Sequence, residues 1–304
     1  MFRLPFLALL VELASSSPLS RQACDCWQTK EDGLLFTDYN IFDFSSLAQY
    51  VYAEPNVLDD YEANRVAPVT SEYFESTDWT SFFKLQTWDF PDKPIRMINS
   101  QNNVYLQKDA EASTYLTLRT HRSQDFQSAA EFDTNDQTFT AASMRIRAKV
   151  QGDAGACAGF FVYKQGDDGT QHESDIEILT YNPTTTVHYT THPEQETHQE
   201  EGRYTIEATL PFSVQWTNWQ DYRMDWTQAQ TTYYVDGAEN GRLAHLESQV
   251  PSNLIFNMWS WGNEEWEKTM AVGGTAYLNL KQIELAYNTS SGGSASCTNI
   301  CTLN

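Results

Sequence analysis

His172-Glu173-Ser174-Asp175-Ile176-Glu177-Ile178-Leu179-Thr180 places an acid at every second position from 173 to 177. On a β-strand successive side chains point to opposite faces. Glu173, Asp175 and Glu177 then share one face, and Ser174, Ile176 and Ile178 share the other. The second set suits burial. The first repels itself, so stability gives no reason to assemble it. Glycoside hydrolysis does give one, because it needs two nearby carboxyl groups with one pKa raised. Spacing alone is a weak signal: with 41 acids in 304 residues, about one such triplet arises from composition. The competing reading is a solvated acidic strand face, and the flanking sequence has to decide.

Working outward, residues 158–163 form an aromatic strand joined to the acidic one by a polar turn at 164–170. In that hairpin Phe161 and Tyr163 flank the acids. Upstream, residues 138–150 alternate, with Met144, Ile146, Ala148 and Val150 on one face and Arg145, Arg147 and Lys149 on the other. Residues 104–107 and 115–120 also read as strands. Downstream strands are expected at 185–190, 203–209, 219–226, 231–235, 254–261 and 275–287, with a tight turn at Asp236-Gly237. Residues 38–44 and 50–52 read as short strands or turns, and Asp59-Asp60 as loop. No amphipathic helix of ordinary length, no repeat and no linker interrupts 35–287. Many strands at short intervals mean one all-β sandwich or jelly-roll domain.

Bulk composition narrows the partners. The chain has 9 Trp, 16 Tyr and 16 Phe; planar rings fill cores and also stack on the apolar faces of pyranose sugars. A formal net charge of −22 repels polyanions, which excludes nucleic acid and tolerates a neutral polysaccharide. Residues 1–16 read as a signal peptide, with Arg3, a short apolar run and Ala14-Ser15-Ser16 before the cleavage point. That run is too short for a bilayer, and residues 290–304 lack a lipid-anchor tail. A free, secreted protein without a membrane partner is expected, acting as a monomer. Five cysteines fit an oxidising compartment: Cys24 and Cys26 near the start, Cys297 and Cys301 near the end. A staple between the termini is natural, with the pairing open; Cys157 is either a free core thiol or a partner of one of the others. No Cys/His spacing suggests zinc, and no metal or cofactor is expected. One glycosylation sequon, Asn288-Thr289-Ser290, lies in the C-terminal polar stretch. Neither a G-x-S-x-G elbow nor a glycine-rich phosphate loop occurs.

Five blocks taken together resemble glycoside hydrolase family 16, the group of laminarinases, lichenases and fungal cell-wall transglycosylases. Glu173-Ser174-Asp175-Ile176-Glu177 is similar to its E-x-D-x-E strand. Ser143 to Ala148 and Ala158 to Tyr163 resemble the strands leading into it. Trp219-Gln220-Asp221-Tyr222-Arg223-Met224-Asp225-Trp226 with Tyr234-Val235-Asp236-Gly237 resembles a downstream hairpin, and Asn257-Met258-Trp259 its N-x-W strand. The agreement runs over residues 40–287. His172 stands where relatives often carry an acid and Ser174 where Ile is common; the Cys24-Asp25-Cys26 opening and Cys157 resemble a fungal secreted branch. The resemblance implies a concanavalin A-like β-jelly roll, two antiparallel sheets with an open concave cleft. It divides the chain into a Cys-containing segment at 17–40, a catalytic domain at 41–287 and a polar tail at 288–304.

The resemblance also implies roles: Glu173 as nucleophile, Glu177 as general acid/base, Asp175 as helper. Cα atoms four apart on a strand are about 13 Å apart, and retaining chemistry wants carboxyl groups about 5–5.5 Å apart. Two long Glu side chains leaning over a shorter Asp close most of that gap. Glu177 is expected protonated and Glu173 ionised at rest, with a mildly acidic pH optimum. Trp259 is the expected sugar platform, the alternative being an ordinary core ring; Trp261 and Trp266 are secondary choices. Asn257, Tyr163 and His188 are expected to contact sugar, although Asn257 also reads as bonding a loop backbone and His188 as a structural imidazole. Trp216, Trp219 and Trp226 are expected in the core. Cleft loops at 61–75 and 193–202 would set linkage specificity. The expected activity is retaining endo-hydrolysis of β-1,3 or mixed β-1,3/1,4-glucan. The alternatives are a glucan or chitin transglycosylase and a lectin-like binding protein.

Overall fold

The computed structural model describes residues 24–110, 113–193, 204–245, 248–292 and 296–303. In chain order the strands are β1 (Cys26–Thr29), β2 (Leu35–Phe36), β3 (Asp38–Asp43), β4 (Phe83–Leu85), β5 (Asp89–Phe90), β6 (Met97–Asn99) and β7 (Val104–Lys108). Then come β8 (Thr114–Arg122), β9 (Gln127–Thr134), β10 (Phe139–Gly152), β11 (Cys157–Gln165), β12 (Gln171–Leu179), β13 (Thr186–His192) and β14 (Thr205–Thr209). The last are β15 (Gln220–Trp226), β16 (Gln230–Val235), β17 (Ala238–Ala244), β18 (Asn253–Trp259), β19 (Thr275–Thr289) and β20 (Ile300–Leu303). The helices α1 (Tyr61–Arg65) and α2 (Thr77–Thr80) are single turns. Among the described residues no helix is long and apolar enough to cross a membrane.

The concave sheet runs β14-β13-β12-β11-β18-β9-β4, antiparallel throughout. The outer sheet runs β17-β16-β15-β10-β19, with β3 and β8 sharing the far edge of the long β19 and β7 beyond β8. β9 joins the two sheets: Gln127 and Ser128 pair with β8, while 130–133 pair with β18. This is the expected jelly roll. The alternation read in β10 is real, with Met144, Ile146, Ala148 and Val150 almost wholly buried between the sheets. Phe132 stacks on Phe256 at 4.8 Å, and Trp79 and Phe83 close that end of the core.

The termini are stapled by Cys24–Cys301 and Cys26–Cys297, while Cys157 is free and buried. β1 pairs in parallel with β20, so the first and last described strands lie in one small sheet against the outer layer through Phe36, Ala286 and Leu303. Asn288 lies inside β19; its Nδ2 donates to Leu35 O, and its Oδ1 accepts from Thr37 N.

Some expectations need correction. Of the two readings for 50–52, strand or turn, the strand is not formed; Tyr50 ends a 3-10 turn at Ala48–Tyr50. Trp216 and Trp226 are core, but Trp219 is only partly buried. It packs on Tyr115 at 5.6 Å with the Lys149 ammonium 5.0 Å from its ring centre. Residues 61–75 carry α1 and a 3-10 turn, and none of them lines the cleft. The signal-peptide reading of 1–16 and residues 194–202 of the second suggested loop lie outside the described residues.

Candidate active site

β12 is built as its alternation requires. Ser174, Ile176 and Ile178 are fully buried beneath the sheet. Ser174, the departure from an apolar pattern, sits in a hydroxyl network with Thr191, Thr231 and His245 Nε2, which satisfies a polar group that burial would otherwise penalise. The three acids face the other way, into a cleft of about 620 Å³.

Strand register lays the concave face out in rows. One row crosses His188, Glu177, Gly159, Asn257 and Glu131. The next crosses Thr190, Asp175, Phe161, Ile255 and Asp133, and a third His192, Glu173, Tyr163 and Asn253. Gly159 leaves the floor open between Glu177 and Asn257: a Cβ there would stand 2.7 Å from Asn257 Oδ1.

Each acid has a distinct setting. Glu173 Oε2 accepts from Gln171 Nε2, and burial raises its pKa to about 7. Asp175 is 4% exposed; burial and then the charges of Glu173 and Glu177 push it far above the carboxylate range. Glu177 Oε1 accepts from Cys157 Sγ at 3.2 Å and from the Trp266 indole Nε1 at 3.2 Å. Burial raises Glu177, and these two donors pull it back. The three acids therefore titrate as an interacting group rather than singly.

The structure brings Tyr163, Asn257, Trp259 and Trp261 to the same cleft. Trp259 and Trp261 lie 4.2 Å apart, centre to centre, with Lys93 over the Trp261 ring at 4.2 Å. His188 does not line the cleft. It is a buried imidazole beside Glu177, edge-on to Trp266 at 5.1 Å and 2.6 Å from Asn182 Nδ2. Asn257 is half engaged: its Nδ2 donates to Glu131 Oε2 at 3.1 Å, while its Oδ1 has no protein partner.

Sequence reasoning missed the second acidic pair, Glu131 and Asp133 on β9, and its partner Trp88, whose Nε1 donates to Glu131 Oε1 at 2.9 Å. Burial holds Glu131 well above the ordinary range and Asp133 at about 7. Their i, i+2 spacing about the buried Phe132 is the signal used for β12, and it was available at 131–133. Glu173, Asp175 and His192 bring one donor atom each to within 4.8 Å of one another, a geometry open to a divalent cation. Two of these are the carboxylates that sugar chemistry would use, and we do not read them as ligands of a resident metal.

The arrangement can present two flanking carboxyls with a buried acid between them to a chain lying across aromatic rings. No curated protein sequence matches this chain significantly. Among solved structures it is similar to a Bacillus licheniformis β-glucanase, at 19% identity and a TM-score of 0.57 over 69% of this chain and 94% of that one. It is also similar to an endo-β-1,3-glucanase from Pyrococcus furiosus, at 12% identity and a TM-score of 0.57 over 88% and 100%. A laminarinase catalytic domain from Thermotoga maritima matches at 16% identity and a TM-score of 0.55 over 69% and 92%. At these identities the likeness establishes the jelly-roll fold. The family assignment comes from sequence: the model described as glycosyl hydrolases family 16 matches residues 92–279, more than half of the chain, and the chain belongs to that family.

Proposed function

We propose that this protein is a secreted, retaining endo-β-glucanase acting on β-1,3 or mixed β-1,3/1,4-glucan. The observation that carries the reading is the trio on β12: two Glu carboxyls on one face of the cleft with a buried Asp between them. Its composition suits a double displacement. Glu173 attacks the anomeric carbon while Glu177 protonates the departing glycosidic oxygen. Glu177 then takes a proton from water as that water releases the sugar from Glu173. Asp175, held protonated by burial and by its neighbours' charges, donates a hydrogen bond to Glu173 and favours the ionised nucleophile.

Trp259 and Trp261 supply stacking faces, and Tyr163 lines the wall beside Glu173. Asn257 is held by Glu131 through Nδ2, and its Oδ1, without a protein partner, is left to accept from a sugar hydroxyl. The glucan-directed names of the structural neighbours favour a β-glucan. Two disulfides between the termini favour export to an oxidising space. Because burial holds Glu173 at about 7, the acid limb of the pH profile falls nearer neutrality than the mildly acidic optimum read from sequence.

The test is incubation with laminarin, lichenan, galactan and chitin oligomers, with products separated by length. Shorter glucan products with retained anomeric configuration support the proposal. Products longer than the donor would make the protein a transglycosylase, and binding without products a lectin. A Glu173→Gln variant with full activity would remove the assigned nucleophile.

A further inference from the structure

Cys157 lies outside both disulfides, is fully buried, and has no part in the hydrolysis just described. It stands on β11 between Leu179 of β12 and Trp259 of β18, one row beyond Glu177 and Gly159. Its Sγ lies 3.2 Å from Glu177 Oε1. Trp266 Nε1 lies 3.2 Å from the same oxygen. Among the described residues no hydrogen bond ends on Glu177 Oε2.

The hydrogen positions follow from chemistry. An indole N–H only donates, and a protonated thiol has one weak donor. Burial, with Glu177, Glu267 and Asp175 nearby, keeps that thiol protonated. Both groups therefore donate, and Oε1 accepts in either protonation state of Glu177. Any proton on Glu177 sits on Oε2.

Trp266 is itself held in place. Glu267, fully buried, accepts from the backbone N–H of Trp261 and Asn263 at 3.0 and 2.9 Å. These bonds fold the loop that begins with Gly262 at φ +76°, where a Cβ would strike Ile95. His188 of β13 packs against the Trp266 ring.

We propose that Cys157 and Trp266 are positioning residues for Glu177: together they fix Oε1 as an acceptor and direct the transferable proton to Oε2. This rests on reading Glu177 as the acid/base. Both bonds strengthen when Glu177 ionises, because bonds to a charged acceptor are stronger than neutral ones. They oppose burial and the negative charge of Glu267 on the loop; of its strand neighbours, Glu173 is the ionisable one and Asp175 keeps its proton. His188, the facing group on β13, is held neutral by its own burial. A carboxyl with neither donor would hold its proton more firmly.

The test uses the purified full chain. Cys157 is the one thiol outside the disulfides, so its S–H infrared stretch is isolated. That band should lie at the lower frequency of a hydrogen-bonded thiol and move further as Glu177 ionises; in Glu177→Gln it should stop responding to pH. Cys157→Ala should move the basic limb of the kcat/KM profile upward by about half to one pH unit, Trp266→Phe by about one unit, and Cys157→Ser should restore the wild-type limb. A merely structural role would lower the amount of folded enzyme and leave the limb unmoved. The proposal falls if the S–H band ignores the ionisation of Glu177, or if the Ala and Ser variants share the wild-type limb. The infrared measurement needs no variant to fold. It also needs no turnover: a band that tracks Glu177 in a protein inert to every glucan would leave this inference standing and overturn the glucanase reading.

Discussion

Replacing Gly159 by alanine probes the cleft floor at its tightest point. The new Cβ would stand 2.7 Å from Asn257 Oδ1 and 3.4 Å from the Phe161 ring. Carbon and oxygen are comfortable at about 3.4 Å or more, so the amide must retreat by about 0.7 Å. Asn257 Oδ1 has no protein partner to lose, but the same amide donates from Nδ2 to Glu131 Oε2 at 3.1 Å. Displaced by that amount, the bond stretches to about 3.8 Å and ceases to be one. Leaving the buried amide and carboxyl unpaired costs about 1–3 kcal/mol, and residual overpacking adds about 1 kcal/mol. A total of about 3 kcal/mol lowers the melting temperature of a domain this size by on the order of 10 °C. Calorimetry reads that number, and kcat/KM on a glucan reads the effect on the floor beside Glu177. A double-mutant cycle isolates the cause: in an Asn257→Ala background, where the obstructing oxygen is gone, Gly159→Ala should lose most of its effect. A variant melting within about 2 °C of wild type, with kcat/KM unchanged, would refute the packing argument.

Other consequences are as direct. Glu177→Gln should lower kcat by about 10²–10⁴ on glucan, the usual contribution of a general acid, and by much less on a substrate whose leaving group needs no proton; this is read by initial rates. Stability should fall as pH rises from about 4 to 8. Asp133 and Glu173 are raised to about 7 and Asp225 to about 6 by burial, so the folded state binds more protons than the unfolded one across that window. The stabilisation is fully present below the unfolded pKa values and is lost as pH passes the folded ones; Asp133→Asn should flatten the profile of melting temperature against pH. Removing both terminal disulfides should destabilise the fold by on the order of 5 kcal/mol, since each closes a loop of more than 270 residues. Replacing one pair alone should do far less, because the remaining bridge closes nearly the same loop; denaturant titration distinguishes the two.

The concave face was legible from sequence only where strand periodicity was written in strong letters. β12 alternates acids with isoleucine and β10 alternates basic with apolar residues, and both register and facing follow. β9 does not read that way. Gln127-Ser-Ala-Ala-Glu-Phe-Asp-Thr134 carries few residues that favour strands, and both of its faces are mostly buried. One meets the core through Phe132, while the other carries Glu131 and Asp133 into the cleft. Only Glu131-Phe132-Asp133 shows the polar-apolar contrast, and among small and polar neighbours that short stretch was passed over, although the strand joins both sheets and supplies two of the five cleft acids. The contacts that matter most around Glu177 are harder still. Cys157 lies 20 residues away and Trp266 lies 89 away, and only strand order brings them to one oxygen.

That order also separates cleft aromatics from core aromatics, which composition cannot do. Trp259 and Trp226 each end a strand. Parity decides between them: Trp259 shares its face with Asn257, which the register places opposite Gly159 on the cleft side. Trp226 is fully buried, on β15 in the outer sheet. The same parity puts Cys157 on the face of Glu177 while its chain neighbour Ala158 enters the core. Shifting β11 by one residue against β12 would exchange those faces. It would carry the thiol away from the carboxyl and press Ala158 and Phe160 into the cleft. The floor of the site and the hydrogen bonds to Glu177 are therefore consequences of one register, and the Cys157 infrared band reports on that register as directly as on the proton.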